Sequence, residues 1–268
     1  MASRRIARVG LAIGVMALSL LAGASPASAI IAGHDATTNY PAMGSLQELQ
    51  SGGGFDHACG ATLVHPLYAV TGAHCVTNYP DGTAKDPDTF RVRFGSTDRT
   101  VGGTLVSVAQ VIPHPDWNWF NGGTGQPASD LAMLRLSAPV TTIPFIIARP
   151  SGSPPAVRII GWGKTTPDAS GPYPTILQED NTFILPNSEC AAAGITAGEL
   201  CVDSHGGHGI CLGDSGGPAL QELSPHIWLA LGTVSRGAGT ACGDAVIVFT
   251  DLAYYGPWIL HVVLTGQP

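Results

Sequence analysis

Gly213-Asp214-Ser215-Gly216-Gly217-Pro218 is the stretch whose reading decides the fold. Glycines on both sides of a serine permit a sharp turn whose backbone N–H groups converge beside the hydroxyl. An oxyanion next to a nucleophile requires that arrangement. Alone, the pattern also suits a plain surface turn. As a nucleophile elbow it would need an acid and then a histidine downstream, within an alternating βα chain. Asp244 and His261 supply that order, yet only 53 residues follow Ser215 and no βα alternation precedes it. The elbow reading therefore has little room.

The opposite order, His then Asp then Ser, is better served. Thr71-Gly72-Ala73-His74-Cys75 sets a histidine beside a cysteine at the end of an apolar run. Ser129-Asp130-Leu131-Ala132-Met133-Leu134 sets a lone acid at the head of another, where a buried carboxylate needs donors. Helical periodicity is nearly absent. Short β-branched and aromatic runs recur between Gly, Pro and Asn clusters, at 61–64, 68–71, 90–94, 105–112, 131–136, 157–160 and 246–250. This spacing predicts an all-β barrel or sandwich, in one large domain or two small ones. Five prolines between Ala138 and Pro155 mark a crossing between two strand sets, and Tyr254–Leu264 predicts a short helix with Pro257 in its first turn.

Residues 1–29 have the zones of a secretion signal: Arg4, Arg5 and Arg8, an apolar run from Val9 to Ala22, then a small-residue cut site ending at Ala29. The run is too short to span a bilayer, so a soluble, extracellular chain of residues 30–268 is expected. Removing three arginines from 12 basic residues leaves nine against 19 acids. That balance speaks against nucleic acid as a partner. Only two lysines, Lys85 and Lys164, amid abundant Gly, Ala, Pro and Thr suggest a bacterial extracellular style. Six cysteines, an even number, suit an oxidising compartment, and composition alone leaves their 15 pairings open. No C-x-x-C pair exists, so no metal is expected on them.

Together these motifs resemble the chymotrypsin-like (trypsin-like) serine peptidase family, and the resemblance spans the chain after the signal. It runs from Ile30-Ile31-Ala32-Gly33 through TGAHC, SDLAML, Gly161-Trp162-Gly163 and CLGDSGGP to Tyr254-Tyr255-Gly256-Pro257-Trp258-Ile259. It implies two six-stranded antiparallel β-barrels with the active site in the cleft between them, assigned to residues 30–140 and 141–268, and a C-terminal helix. It implies Ser215 as nucleophile, His74 as general base and then acid, and Asp130 as the group that orients His74. The backbone N–H groups of Gly213 and Ser215 would form the oxyanion hole. Implied disulfides are Cys59–Cys75, Cys190–Cys201 and Cys211–Cys242. The freed amine of Ile30 would pair with Asp214 and order the site, either directly on export or after removal of a five-residue propeptide, Ser25–Ala29.

Departures from the family pattern set further expectations. Gly209, six residues before the nucleophile, stands at the floor of the primary pocket, followed by Ile210, and Ile247 stands where a glycine commonly lines it. Ser235 and Gly237 keep the substrate-pairing strand, with Arg236 where an aromatic is usual. A shallow apolar pocket for a small to medium residue before the cut follows, with Asp244 as a rival attractor of basic side chains. Ser96 and Thr104 stand where calcium-binding members carry acids, so no calcium is expected. The short Cys190–Cys201 loop is expected to open outer subsites. His205 and His208, split by two glycines, offer a metal or acid sensor but are read as solvated loop residues, and His57, His65, His114, His226 and His261 receive no role.

The function expected is a cofactor-free secreted serine endopeptidase, monomeric, acting on polypeptides and open to protein inhibitors, with no membrane contact after signal removal. Its rivals are a non-catalytic binding homologue on the same fold and an esterase.

Overall fold

The computed structural model describes residues 30–126, 128–204 and 206–268. Residues 1–29, on which the expected secretion signal falls, together with Pro127 and His205, lie outside the described residues. Fourteen strands carry the described fold: β1 (His34–Asp35), β2 (Met43–Leu49), β3 (Phe55–His65), β4 (Tyr68–Thr71), β5 (Phe90–Phe94), β6 (Thr104–Pro113), β7 (Ala132–Leu136), β8 (Ile146–Ile147), β9 (Ala156–Gly161), β10 (Gln178–Leu185), β11 (Glu199–Val202), β12 (Pro218–Ser224), β13 (Ile227–Gly237) and β14 (Ile247–Asp251). Two α-helices accompany them, α1 (Ala73–Val76) and α2 (Gly256–Thr265).

Alternation makes the first barrel. In β5, Phe90, Val92 and Phe94 are buried while Arg91 and Arg93 face outward, the period-two pattern of a half-buried strand. The order β2–β3–β4–β7–β6–β5 closes when β5 pairs back to β2, Gly44 opposite Phe94. The second barrel runs β9–β10–β11–β14–β13–β12 and closes where Ala219 of β12 faces Ile159 of β9. Closure removes the sheet edges that would otherwise template aggregation. β1 adds to β10, and β8 lies parallel to β13. The expected all-β fold of two six-stranded barrels with a short C-terminal helix is thus the observed one.

The chain passes from the first barrel to the second between Leu136 and Ala156. Met43, Leu46, Leu63, Phe90, Phe94 and Met133 fill the first core; Val157, Ile159, Val202, Leu231 and Phe249 fill the second. Trp162, fully buried, joins them, its indole N–H donating to the Thr97 carbonyl at 3.1 Å. In α2, Pro257 occupies the first turn and Gly266 ends the helix in left-handed conformation.

Candidate active site

The apolar strand β4 runs buried up to Thr71 and delivers His74 on the single turn α1 at the inter-barrel cleft. The Cys59–Cys75 disulfide bonds the next residue to β3. Asp130 precedes β7, and its carboxylate meets His74 twice. Oδ2 receives the imidazole Nδ1 at 2.7 Å, and Oδ1 receives the backbone N–H at 3.0 Å. The Ser235 hydroxyl, from β13 of the other barrel, donates to the same Oδ2 at 2.7 Å. Thr250 of β14 holds the Asp130 carbonyl at 2.8 Å. Both barrels therefore fix this acid.

Electrostatics follow from those contacts. Burial alone would raise Asp130, but the charge of His74 and the hydrogen bonds from His74 and Ser235 outweigh it and hold the carboxyl below its ordinary value. Burial would likewise lower His74, and the adjacent Asp130 carboxylate overrides it and raises the imidazole. Nδ1 is committed to Asp130, and Nε2 lies 3.6 Å from Cys75 Sγ, which leaves Nε2 as the nitrogen without a carboxylate partner. Ser215, partly exposed, lines the same cavity as His74. Its carbonyl accepts from Gly60 N at 2.7 Å, and Gly216 N donates to Val234 O at 2.9 Å, so the turn is fixed from both barrels.

Asp214 is buried beside it. Its oxygens accept from Gly163 N at 2.7 Å and Cys211 N at 2.9 Å. Burial nevertheless pushes its carboxyl up to about 7, against the lowering effect of those two bonds. Ile30 is fully buried in the second core, and Ile31 exchanges backbone bonds with Gly209 at 2.8 and 3.1 Å. The N-terminal segment is thus seated in the barrel that carries Ser215.

His57 has a place that composition did not signal. On β3 it shares parity with Cys59, Ala61 and Leu63, and it is buried. Ser45 Oγ lies 2.8 Å from Nδ1, and Nε2 lies 3.0 Å from the Gly213 carbonyl. Burial pulls its pKa down to about 4, so the ring is neutral at physiological pH. Nε2–H donates to Gly213, and Nδ1 accepts from Ser45.

Residues 30–259 match the sequence profile of the family described as Trypsin. The chain belongs to the trypsin family. A mouse (Mus musculus) protein described as Tryptase is 32% identical over 228 residues, covering 77% of this chain and 79% of the relative. That relative gives the bacterial reading of composition no support. Trypsin-family members are serine proteases, and this chain carries the three disulfides that the resemblance implied, Cys59–Cys75, Cys190–Cys201 and Cys211–Cys242.

In this trypsin-family chain the cavity beside Ser215 has a volume of about 470 Å³ and is lined in part by Ser204, Ile210, Val234, Gly237 and Ile247. Gly209 itself is buried behind that wall, at φ +124°, and a side chain there would collide with the Ser204 hydroxyl. No acid fits at 209 on this backbone. Asp244 lines the cavity, but its Oδ2 accepts from Thr240 N at 3.2 Å and Ala241 N at 3.0 Å, which commits it to the loop. The Ser204 hydroxyl donates to the His208 carbonyl at 2.8 Å.

Arg236 stands on the cavity wall, with its guanidinium committed to groups of its own barrel. It pairs bidentately with the buried Glu199 at 2.6 and 3.0 Å and donates to the Ala193 and Gly194 carbonyls. The short Cys190–Cys201 loop is therefore tied to β13. His208 contacts Asp180 at 2.9 Å. Ser96 donates to Val101 O at 2.8 Å within its own loop. Among the described residues, no helix is long and apolar enough to cross a membrane.

Proposed function

We propose that this trypsin-family chain is a secreted serine endopeptidase that cleaves polypeptides through an acyl-enzyme on Ser215. The observation that carries the reading is the 2.7 Å bond from His74 Nδ1 to the buried Asp130, on the cavity wall that Ser215 shares. Ser215 Oγ attacks the scissile carbonyl carbon and its proton passes to His74 Nε2. The resulting oxyanion takes the N–H groups of Gly213 and Ser215. Collapse breaks the C–N bond, and His74 returns the proton to the departing amine. Water then attacks the ester with His74 again as base, releasing the acid and restoring Ser215. Asp130 holds the imidazole and its positive charge throughout.

Secretion is supported by the signal-like residues 1–29. Cleavage after Ala29 would free the Ile30 amine to supply the counter-charge that the buried Asp214 needs. Residues 30–140 and 141–268 serve as the two barrel units, and we read the active species as a monomer, with protein inhibitors as further partners. Incubation with a sulfonyl fluoride or organophosphate tests the mechanism: stoichiometric labelling of Ser215 with loss of activity is expected. An unlabelled chain would instead favour a non-catalytic homologue.

A small to medium apolar residue before the cut is supported by Ile210, Val234 and Ile247 on the cavity wall and by the commitment of Asp244 to backbone N–H groups. A peptide panel varying only that residue should peak at Ala or Val. Fastest cleavage after Arg would overturn this part.

A further inference from the structure

The side chain packed on Gly213 comes from outside either barrel sheet. Gly213 has φ +99°, and a Cβ placed there would meet Tyr173 Cε1 at 2.6 Å. The phenol ring thus lies against the bare α-carbon, a contact that only glycine permits. Tyr173 also stands edge-on to His57, ring centres 5.6 Å apart, while His57 holds the Gly213 carbonyl at 3.0 Å. On the other side, the carbonyl of the 212–213 peptide accepts from Lys164 N at 2.8 Å, and the Lys164 ammonium sits 5.5 Å from the Tyr173 ring. In a trans peptide C=O and N–H point in opposite directions, so the Lys164 bond aims the Gly213 N–H away from Lys164. The ring fills the space between these anchors.

Tyr173 is itself anchored to the first barrel. Arg99 donates to the Pro174 carbonyl at 2.8 Å and the Tyr173 carbonyl at 3.4 Å. Its Nη1 pairs with Asp56 at 2.7 Å, and Asp56 also accepts the His57 N–H at 2.8 Å. Arg99 N donates to Thr175 O at 3.0 Å. One guanidinium therefore sets the distance between the residue that grips the Gly213 carbonyl and the ring that covers its α-carbon.

We propose that Tyr173, clamped by Asp56 and Arg99, is a positioning residue for the oxyanion site, holding Gly213 so that its N–H stays aimed at the developing charge. The inference rests on the serine peptidase reading, which makes Gly213 an oxyanion donor. Deleting such a donor costs on the order of 10²–10³ in kcat; a donor that is only loosened should cost about ten-fold.

The test compares wild type, Tyr173→Ala and Tyr173→Phe, each beginning at Ile30 and standardised by organophosphate titration of Ser215. Tyr173→Ala should lose about ten-fold or more in kcat with KM within about two-fold. A peptide aldehyde, whose adduct carries an oxyanion, should weaken in parallel, while the matching peptide alcohol binds unchanged. Tyr173→Phe, which keeps the ring, should behave as wild type. Should Tyr173→Ala not fold, Tyr173→Leu replaces it with the same expected split. Unchanged kcat in Tyr173→Ala, equal weakening of aldehyde and alcohol, or a Phe variant as poor as Ala would each overturn the inference while leaving the peptidase reading intact. A wild-type chain that fails to label at Ser215 would overturn both.

Discussion

Asp130 must stay ionised while buried and must keep one imidazole nitrogen occupied, and its donors do both. Losing the charge should cost more than losing the contact. Asp130→Asn is expected to lower kcat by about 10⁴-fold, with the fold retained because the His74 backbone N–H still meets the amide oxygen in place of Oδ1 and the Ser235 hydroxyl, which faces Oδ2, can turn to accept from the amide nitrogen. The same carboxylate fixes the pH profile. In the proposed mechanism catalysis needs neutral His74, whose pKa the Asp130 carboxylate raises from the ordinary 6.5, so activity should fall as pH drops through a value on the alkaline side of a free histidine. In Asp130→Asn that limb should move to lower pH, readable in kcat/KM against pH; an unmoved limb would remove Asp130 as its cause. The sign for stability is opposite. His74 contributes stability that is complete below about pH 6.5 and is lost as pH rises through its raised folded value, while Asp130, held below its ordinary 3.8, contributes stability that is complete above that value and is lost as pH falls through its folded value. His74, Asp130 and Ser215 were legible because each sits in a local motif. His57 and Tyr173 were not, because their partners, Ser45, Gly213 and Arg99, reach them only through strand pairing and loop docking.

The strands that were legible are those with an apolar stripe, such as β4 and β5. β2 and β10 hide theirs, because the buried face carries polar groups with dedicated partners: Ser45 on His57, Gln47 on Arg99, Glu179 on Tyr40 and Thr37. A buried polar residue costs little once hydrogen-bonded, yet nothing in its own sequence neighbourhood announces the partner. Arg236 is the same lesson on β13. Read as an oddity at an aromatic position, it is one half of a pair with Glu199 on β11, whose side chain is only 4% exposed. Arg236→Trp should therefore destabilise by about 1–3 kcal/mol, because the buried Glu199 carboxylate loses its counter-charge and keeps only the Thr196 N–H and hydroxyl as donors, rather than simply restoring an aromatic subsite. The double variant Arg236→Trp with Glu199→Gln should recover much of that loss. Denaturant midpoints of the single and double variants check it, and equal losses in both would sink the account.

Across the whole molecule, Ile30 is buried in the second core and Ile31 pairs with Gly209, five residues before Asp214, so the state of the N-terminus is expected to bear on the stability of the serine turn. With the Ala29–Ile30 bond intact, the Ile30 nitrogen is an uncharged amide, and burial raises Asp214 to about 7 despite two N–H donors. An acid whose folded pKa exceeds its unfolded value near 3.8 binds extra protons in the native state. Its stabilising contribution is complete below about pH 4 and is lost as pH rises to about 7. A freed Ile30 ammonium would supply the missing counter-charge, lower the Asp214 pKa and remove that loss. Chains differing only in whether a residue precedes Ile30 should thus have similar denaturant midpoints near pH 4. They should diverge toward pH 7.5, where the form with the free terminus is the more stable. In an Asp214→Asn background the divergence should vanish. A gap of equal size at both pH values would mean that seating the Ile30 side chain, and not the charge pair, couples the terminus to the cleft.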